Sequence, residues 1–210
     1  MKDNAARLAR LKKEFAAFLK EIYPGREKVA VFGEGNAYAR VMLVGEAPGQ
    51  QETLAQRPFV GKAGKNLDEF LALAGMQREQ LYITNVVKFR PVKVHPRTGS
   101  LSNRPPDREE IALCQSFLFR ELGIIQPKVV VTLGNTALRA VLDDKKAAIG
   151  ELHGAWQPGK LPVWAGEVYP LYHPASIIYN RTLAPAYRAD VQRLGQELYR
   201  RGWIWREEPQ

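Results

Sequence analysis

The sequence holds one cysteine, Cys114, in 210 residues. A single thiol excludes an internal disulfide and any metal site built from cysteines of one chain alone. Histidine is nearly as scarce, with three in the chain. His173 has no second histidine, cysteine or carboxylate near it at a ligand-like spacing, so no metal is expected there. No apolar run approaches the roughly 18 residues of a membrane span, and the N-terminus carries no hydrophobic segment of the signal type. The expectation is a cytoplasmic protein without a membrane partner. Neither GxxxxGKS/T nor GxGxxG occurs, which leaves nucleotide binding weakly supported.

The chain is 45% apolar and 25% charged, the balance of a folded soluble protein. Its length suits one sizeable core, and a single domain over residues 1–210 is expected. Lys and Arg number 31 against 22 Asp and Glu, giving +9. Such a field favours a polyanion such as nucleic acid. The surplus is uneven: from Lys88 to Arg108 there are six basic residues and one acid, Asp107, broken by Pro91, Pro96, Gly99, Pro105 and Pro106. Residues 88–108 therefore read as an extended basic surface loop.

Leu8, Leu11, Phe15, Phe18 and Ile22 recur every three or four residues and predict an amphipathic helix over 5–22, ended by the segment 23–28. "VAVFGEGN" and "RVMLVGEAPG" are short apolar runs that close on glycine. "NLDEFLALAG" predicts a helix stopping at Gly75, and "LYITNVV" a strand. In "PPDREEIALCQSFLFREL" Asp107 can cap a helix with Glu110 three residues on, and Ile111, Cys114, Leu118 and Leu122 form its apolar face. "KVVVTLG" and "VYPLYHP" read as strands, "NTALRAVL" as a helix. A last helix from Pro185 to about Arg201 carries Val191, Leu194 and Leu198 on one side. Alternating strands and helices predict a three-layer α/β/α sandwich with a mostly parallel central sheet of about four strands.

Ligands of open α/β sheets bind beyond the C-terminal strand ends, where Gly45 to Gly49, Asn85 to Lys88 and His173 to Ser176 are expected to fall. Each candidate has two readings. Glu46 is either a turn residue or a carboxylate that orients a water. Phe59, in "RPFVGKAG", is either a plug under its loop or a stacking platform for a flat ligand. Asn85 either caps a turn or, with a donor and an acceptor on one amide, reads the edge of a base. His173 is either a satisfied structural imidazole or a hydrogen-bond donor to a ligand.

"GEAPGQQE", "RPFVGKAGKNLDEFL", "YITNVVKFRP", "PDREEIALC", "PKVVVTLGNTAL" and "YHPASII" follow one another in the order seen in family 4 uracil-DNA glycosylases, and together they span roughly Val29 to Leu194. The chain resembles that family. The resemblance implies a monofunctional glycosylase that hydrolyses the N-glycosidic bond of deoxyuridine, in single- or double-stranded DNA, and leaves an abasic site. It implies that Gly45 and Ala47 help hold uracil, Glu46 positions water, Phe59 stacks, Asn85 reads the base edge, and His173 stabilises the leaving uracil. Lys88, Arg90 and the turn residues Pro174, Ala175 and Ser176 would contact DNA, with the C-terminal arginines Arg188, Arg193, Arg200 and Arg201 meeting phosphates. A monomer is expected.

One departure is specific. Family 4 members usually hold a [4Fe–4S] cluster through four cysteines, whose positions here fall near Phe18 and Glu21, at Phe89 and at Cys114. Four thiolates are needed, so no iron–sulfur cluster and no other cofactor is expected, and Phe18 and Phe89 are expected to pack in its place. Two further readings stand beside uracil excision. One is a non-catalytic DNA- or damage-binding protein of the same fold; the other is a glycosylase for hypoxanthine or xanthine.

Overall fold

Apolar runs without polar alternation can serve as strands buried on both faces, and most of those in this chain do. In the computed structural model, which describes residues 3–25 and 28–205, the strands are β1 (Glu34–Gly35), β2 (Val41–Gly45), β3 (Leu81–Asn85), β4 (Val92–Val94), β5 (Leu101–Asn103), β6 (Val129–Leu133), β7 (Gln157–Pro158) and β8 (Glu167–Leu171). Six of them form one sheet in the order β1-β3-β2-β6-β8-β7. The central four are parallel; β1 and β7 are antiparallel edges. The expected four-strand core is therefore widened to six by two-residue edge strands too short to leave a periodic signal.

The helices are α1 (Asn4–Ile22), α2 (Gln50–Ala55), α3 (Lys62–Ala74), α4 (Arg108–Ile125), α5 (Asn135–Leu142), α6 (Ile149–Leu152), α7 (Ser176–Tyr179) and α8 (Ala184–Arg200). Strand side chains alternate between two layers. Met42, Val44, Tyr82 and Val130 pack with residues of α1 and α4 in one cluster. Val41, Leu43, Leu81, Ile83 and Val131 pack with those of α3 and α8 in the other. The three-layer sandwich follows. Among the described residues no helix is long and apolar enough to cross a membrane.

Local chemistry explains the helix ends. Asp107 Oδ1 accepts the Glu110 N–H at 2.9 Å and Glu110 returns an oxygen to the Asp107 N–H at 3.0 Å, a reciprocal cap on α4. Gly75 ends α3 in the left-handed conformation at φ 66°. The buried stripe of α1 is Leu8, Leu11, Phe15 and Leu19. Ile22, expected to share it, lies at the same helical angle but is the last residue of α1 and is 42% exposed. Arg26 and Glu27, within the segment expected to end the helix, lie outside the described residues.

The basic segment 88–108 is more ordered than a loop. β4 and β5 pair as an antiparallel hairpin, and Arg104 fastens it by a bidentate bridge to Glu110 at 2.7 and 2.8 Å and a bond to the Val92 carbonyl at 3.1 Å.

Candidate active site

The parallel register sets the site. Gly45 and Asn85, the last residues of β2 and β3, stand side by side. The pairing continues past the strand ends, with Val86 N–H on the Gly45 carbonyl at 2.9 Å and Val87 N–H on that of Glu46 at 3.0 Å. Beyond these ends lies a cavity of about 480 Å³, lined by Ala47, Gly49, Phe59, Asn85, Asn103 and His173 among others. That volume falls in the usual range for small-ligand sites.

Phe59 and Asn85 meet over Gly45. A methyl group built on Gly45 would lie 2.5 Å from Phe59 Cζ and closer still to Asn85 Oδ1, so only glycine fits. Phe59 holds a left-handed φ of 54°, a conformation that costs a bulky residue about 1–3 kcal/mol. Arg78 helps fix it by donating to the carbonyls of Pro58 at 2.8 Å and Phe59 at 3.2 Å. Asn85 is 3% exposed as a residue, yet among the described residues no group hydrogen-bonds its side-chain amide. A buried amide left open toward a cavity is a group that awaits a partner.

Glu46 is half-buried, and one of its carboxylate oxygens accepts the Thr136 hydroxyl at 2.5 Å. Burial pushes the His173 imidazole below its ordinary pKa, partly opposed by the charge of Glu46. Its Nδ1 accepts the Ala175 N–H at 3.1 Å. The neutral ring therefore carries its proton on Nε2, as a donor.

Three contributors were not singled out from the sequence. Glu52, 6% exposed, accepts the N–H groups of Gly49 at 3.1 Å, Val60 at 3.1 Å and Gly61 at 2.9 Å, which staples the Glu46 loop to the Phe59 loop. Its signal was the capping spacing from Gly49 to Glu52 in "GQQE". Thr136 stands in the first turn of α5. Asn103 comes from the hairpin, held by Arg90 Nε at 2.7 Å.

Three of the expected DNA contacts are corrected. Lys88 is fully buried and paired with Glu121, so its ammonium cannot reach a phosphate. Pro174 is buried; the turn instead offers half-buried Ala175, Ser176 and Ile177, followed by Ile178 at 60% and Tyr179 at 90% exposure. Arg201 bridges Glu167 and Glu197 and lies over the Trp156 ring at 4.2 Å and that of Trp203 at 4.9 Å, engaged in structure rather than free for DNA. Arg188 remains exposed.

The residues at the cluster positions do not fit an iron–sulfur group. Phe89 is fully buried, and the ring that packs on it edge-on is Tyr23, at 5.5 Å; Phe18 packs instead on Phe117 at 5.3 Å and Phe15 at 6.3 Å. Cys114 is buried, with its thiol pushed up to about 11 chiefly by burial. Among the described residues no cluster of three or more His, Cys, Asp or Glu could hold a metal ion.

The parallel α/β sandwich brings an aromatic, an open amide, a carboxylate and a donor imidazole together around one cavity beyond its strand ends, an arrangement able to take a flat, polar-edged ligand. Residues 32–195 match the uracil DNA glycosylase superfamily, and the chain belongs to it. A type-4 uracil-DNA glycosylase of Thermotoga maritima is 43% identical over 155 residues, 72% of this chain and 73% of its own length. One from Archaeoglobus fulgidus is 38% identical over 169 residues, 78% of this chain and 79% of its own. A type-5 uracil-DNA glycosylase of Pyrobaculum aerophilum is 35% identical over 162 residues, covering 70% and 66%.

Proposed function

We propose that this protein removes uracil from DNA by hydrolysing the N-glycosidic bond of deoxyuridine. The observation that carries the reading is the Asn85 amide, in a buried residue, without a hydrogen-bond partner among the described residues, and set beside the Phe59 ring over Gly45. Membership of the superfamily supports it.

A base inside a duplex cannot enter this cavity, so the nucleotide flips out at a cost of a few kcal/mol, offset by stacking on Phe59 and hydrogen bonds to the base edge. Asn85 offers a donor and an acceptor to uracil; cytosine reverses the required pattern and leaves buried groups unpaired. As the bond breaks, uracil departs as a delocalised anion. The His173 Nε2–H donates to the oxygen where that charge gathers, which contributes on the order of 3–4 kcal/mol. Glu46, held by Thr136, orients the attacking water. No covalent nucleophile is required. Arg90 and the exposed turn after Pro174 meet the DNA beside the vacated position.

Oligonucleotides with one uracil, hypoxanthine or xanthine, single- and double-stranded, are incubated with the protein, and abasic sites are revealed by alkali. Uracil excision is expected, lowered on the order of 10²–10³-fold by His173→Ala, with a large loss also for Asn85→Ala. No strand cleavage above that of the two variants on any substrate would leave a damage-binding protein. Excision confined to the purine substrates would make the deaminated purine the ligand.

A further inference from the structure

Lys88 holds a charge where charges are rarely found, fully buried in the layer behind the pocket. Its three ammonium protons each have an acceptor: the Thr84 hydroxyl at 2.8 Å, the Asn85 carbonyl at 2.7 Å, and the Glu121 carboxylate. Glu121, on α4 and equally buried, also accepts the Tyr82 hydroxyl at 2.8 Å and that of Thr84 at 3.2 Å. Room for this network comes from Gly33, where a methyl group would lie 2.5 Å from the Tyr82 hydroxyl and 2.6 Å from Glu121 Oε1. The Phe32 ring covers the ammonium at 5.3 Å.

Buried ion pairs contribute little net stability, and apolar replacements of both partners are often neutral or stabilising. The pair therefore needs another account, and its third acceptor supplies one. Asn85 ends β3, and the pairing that runs on past it uses the N–H groups of Val86 and Val87 as donors to β2, so the Asn85 carbonyl needs a partner from elsewhere. The ammonium holds that carbonyl, and through it the peptide from which the Asn85 side chain enters the pocket.

We infer that Lys88 and Glu121 are positioning residues for Asn85: a buried ion pair that fixes the backbone of the edge-reading amide and so sets its rate contribution and its discrimination. This rests on the assignment of Asn85 as the reader of uracil. The two partners act through the Asn85 carbonyl and touch no substrate.

The test compares the wild type with Lys88→Met/Glu121→Met, each in Asn85 and Asn85→Ala backgrounds. Thermal stability is expected to be retained or raised. Uracil excision is expected to fall on the order of 10²-fold, the scale of a displacement of about 1 Å in a positioned group. In the Asn85→Ala background no further loss is expected, since the two changes act through one group. An equal fold-loss in both backgrounds, or no loss in either, overturns the inference while uracil excision by the wild type stands. Should the double variant fail to fold, Thr84→Val removes one acceptor of the same ammonium with little change of shape, and the same non-additivity with Asn85→Ala is expected. Side-chain NH₂ resonances of Asn85, assigned by their loss in Asn85→Ala, give a readout independent of catalysis. They are expected to shift or broaden in the variant while core methyl resonances near α8 stay in place. Unchanged Asn85 resonances overturn the inference even if the wild type excises nothing, an outcome that would separately refute uracil excision.

Discussion

Lys88 and Phe89 are neighbours in the chain, both fully buried, and they belong to opposite kinds of interior. Behind the pocket, Lys88 sits in a network of paired polar groups that ends on the Asn85 carbonyl. One residue on, Phe89 joins an apolar cluster with Tyr23 against it and Cys114 in the same core. Polar pairing fixes direction, because each bond has a preferred geometry; apolar packing fixes volume and supplies most of the stability. The first region should therefore answer mainly in rate and the second mainly in stability.

The largest effect expected is on the apolar side. Phe89→Ala should lower unfolding free energy by about 3–5 kcal/mol, as cavity-forming aromatic truncations do, with excision per folded molecule close to wild type. Denaturant unfolding and a rate normalised to folded protein separate the two quantities, and a rate loss as large as the stability loss would erase the contrast. Next comes the pocket itself: His173→Ala should cost on the order of 3 kcal/mol of transition-state stabilisation, measured as excision rate, with the melting temperature little changed. Glu52→Ala should fall on both axes, since it leaves three loop N–H groups without their acceptor; about 1–3 kcal/mol of stability and a loss of excision rate are expected. The smallest is Thr136→Val, which frees the Glu46 carboxylate from one hydroxyl and should lower the rate by roughly fivefold, the equivalent of about 1 kcal/mol.

The pH profile sharpens the same contrast. Burial holds the His173 imidazole below its ordinary value of 6.5. With His173 in its proposed role as Nε2 donor, excision uses the neutral ring whose Nδ1 accepts the Ala175 N–H, so activity should persist below pH 6.5 and fall only as pH drops through the lowered value. The stability sign agrees. Where the native imidazole titrates below the unfolded one, the unfolded state binds more protons, and this group's contribution makes stability fall as pH falls from about 6.5. An acid limb at or above 6.5 in kcat/KM would remove His173 from the donor role.

Much of the architecture was legible in the sequence for a physical reason: central parallel strands are apolar throughout, and Asp107 with Glu110 writes a helix start in four residues. The edge strands were not, because two residues carry no period. The β4–β5 hairpin was masked by the prolines around it, which argued for an irregular loop. At the site, Gly45, Asn85, Phe59 and Ala47 were legible through ordered motifs and do line or border one cavity. Lys88 was misread as a DNA contact because a lysine in a basic segment is normally solvated; what buries it is Glu121, 33 positions on, a partner that local sequence reasoning cannot see. Glu52 and Thr136 were missed for a related reason, since each matters through a backbone or carboxylate that only the fold brings near.

An aromatic plug cannot change oxidation state. With Phe89 and Tyr23 packed on each other and burial pushing the Cys114 thiol up to about 11, the scaffold carries little thiolate for an oxidant to attack. Iron supply, chelators and peroxide should then leave folding and excision alike untouched, so that the protein works under conditions where an enzyme dependent on an iron–sulfur cluster would lose its scaffold.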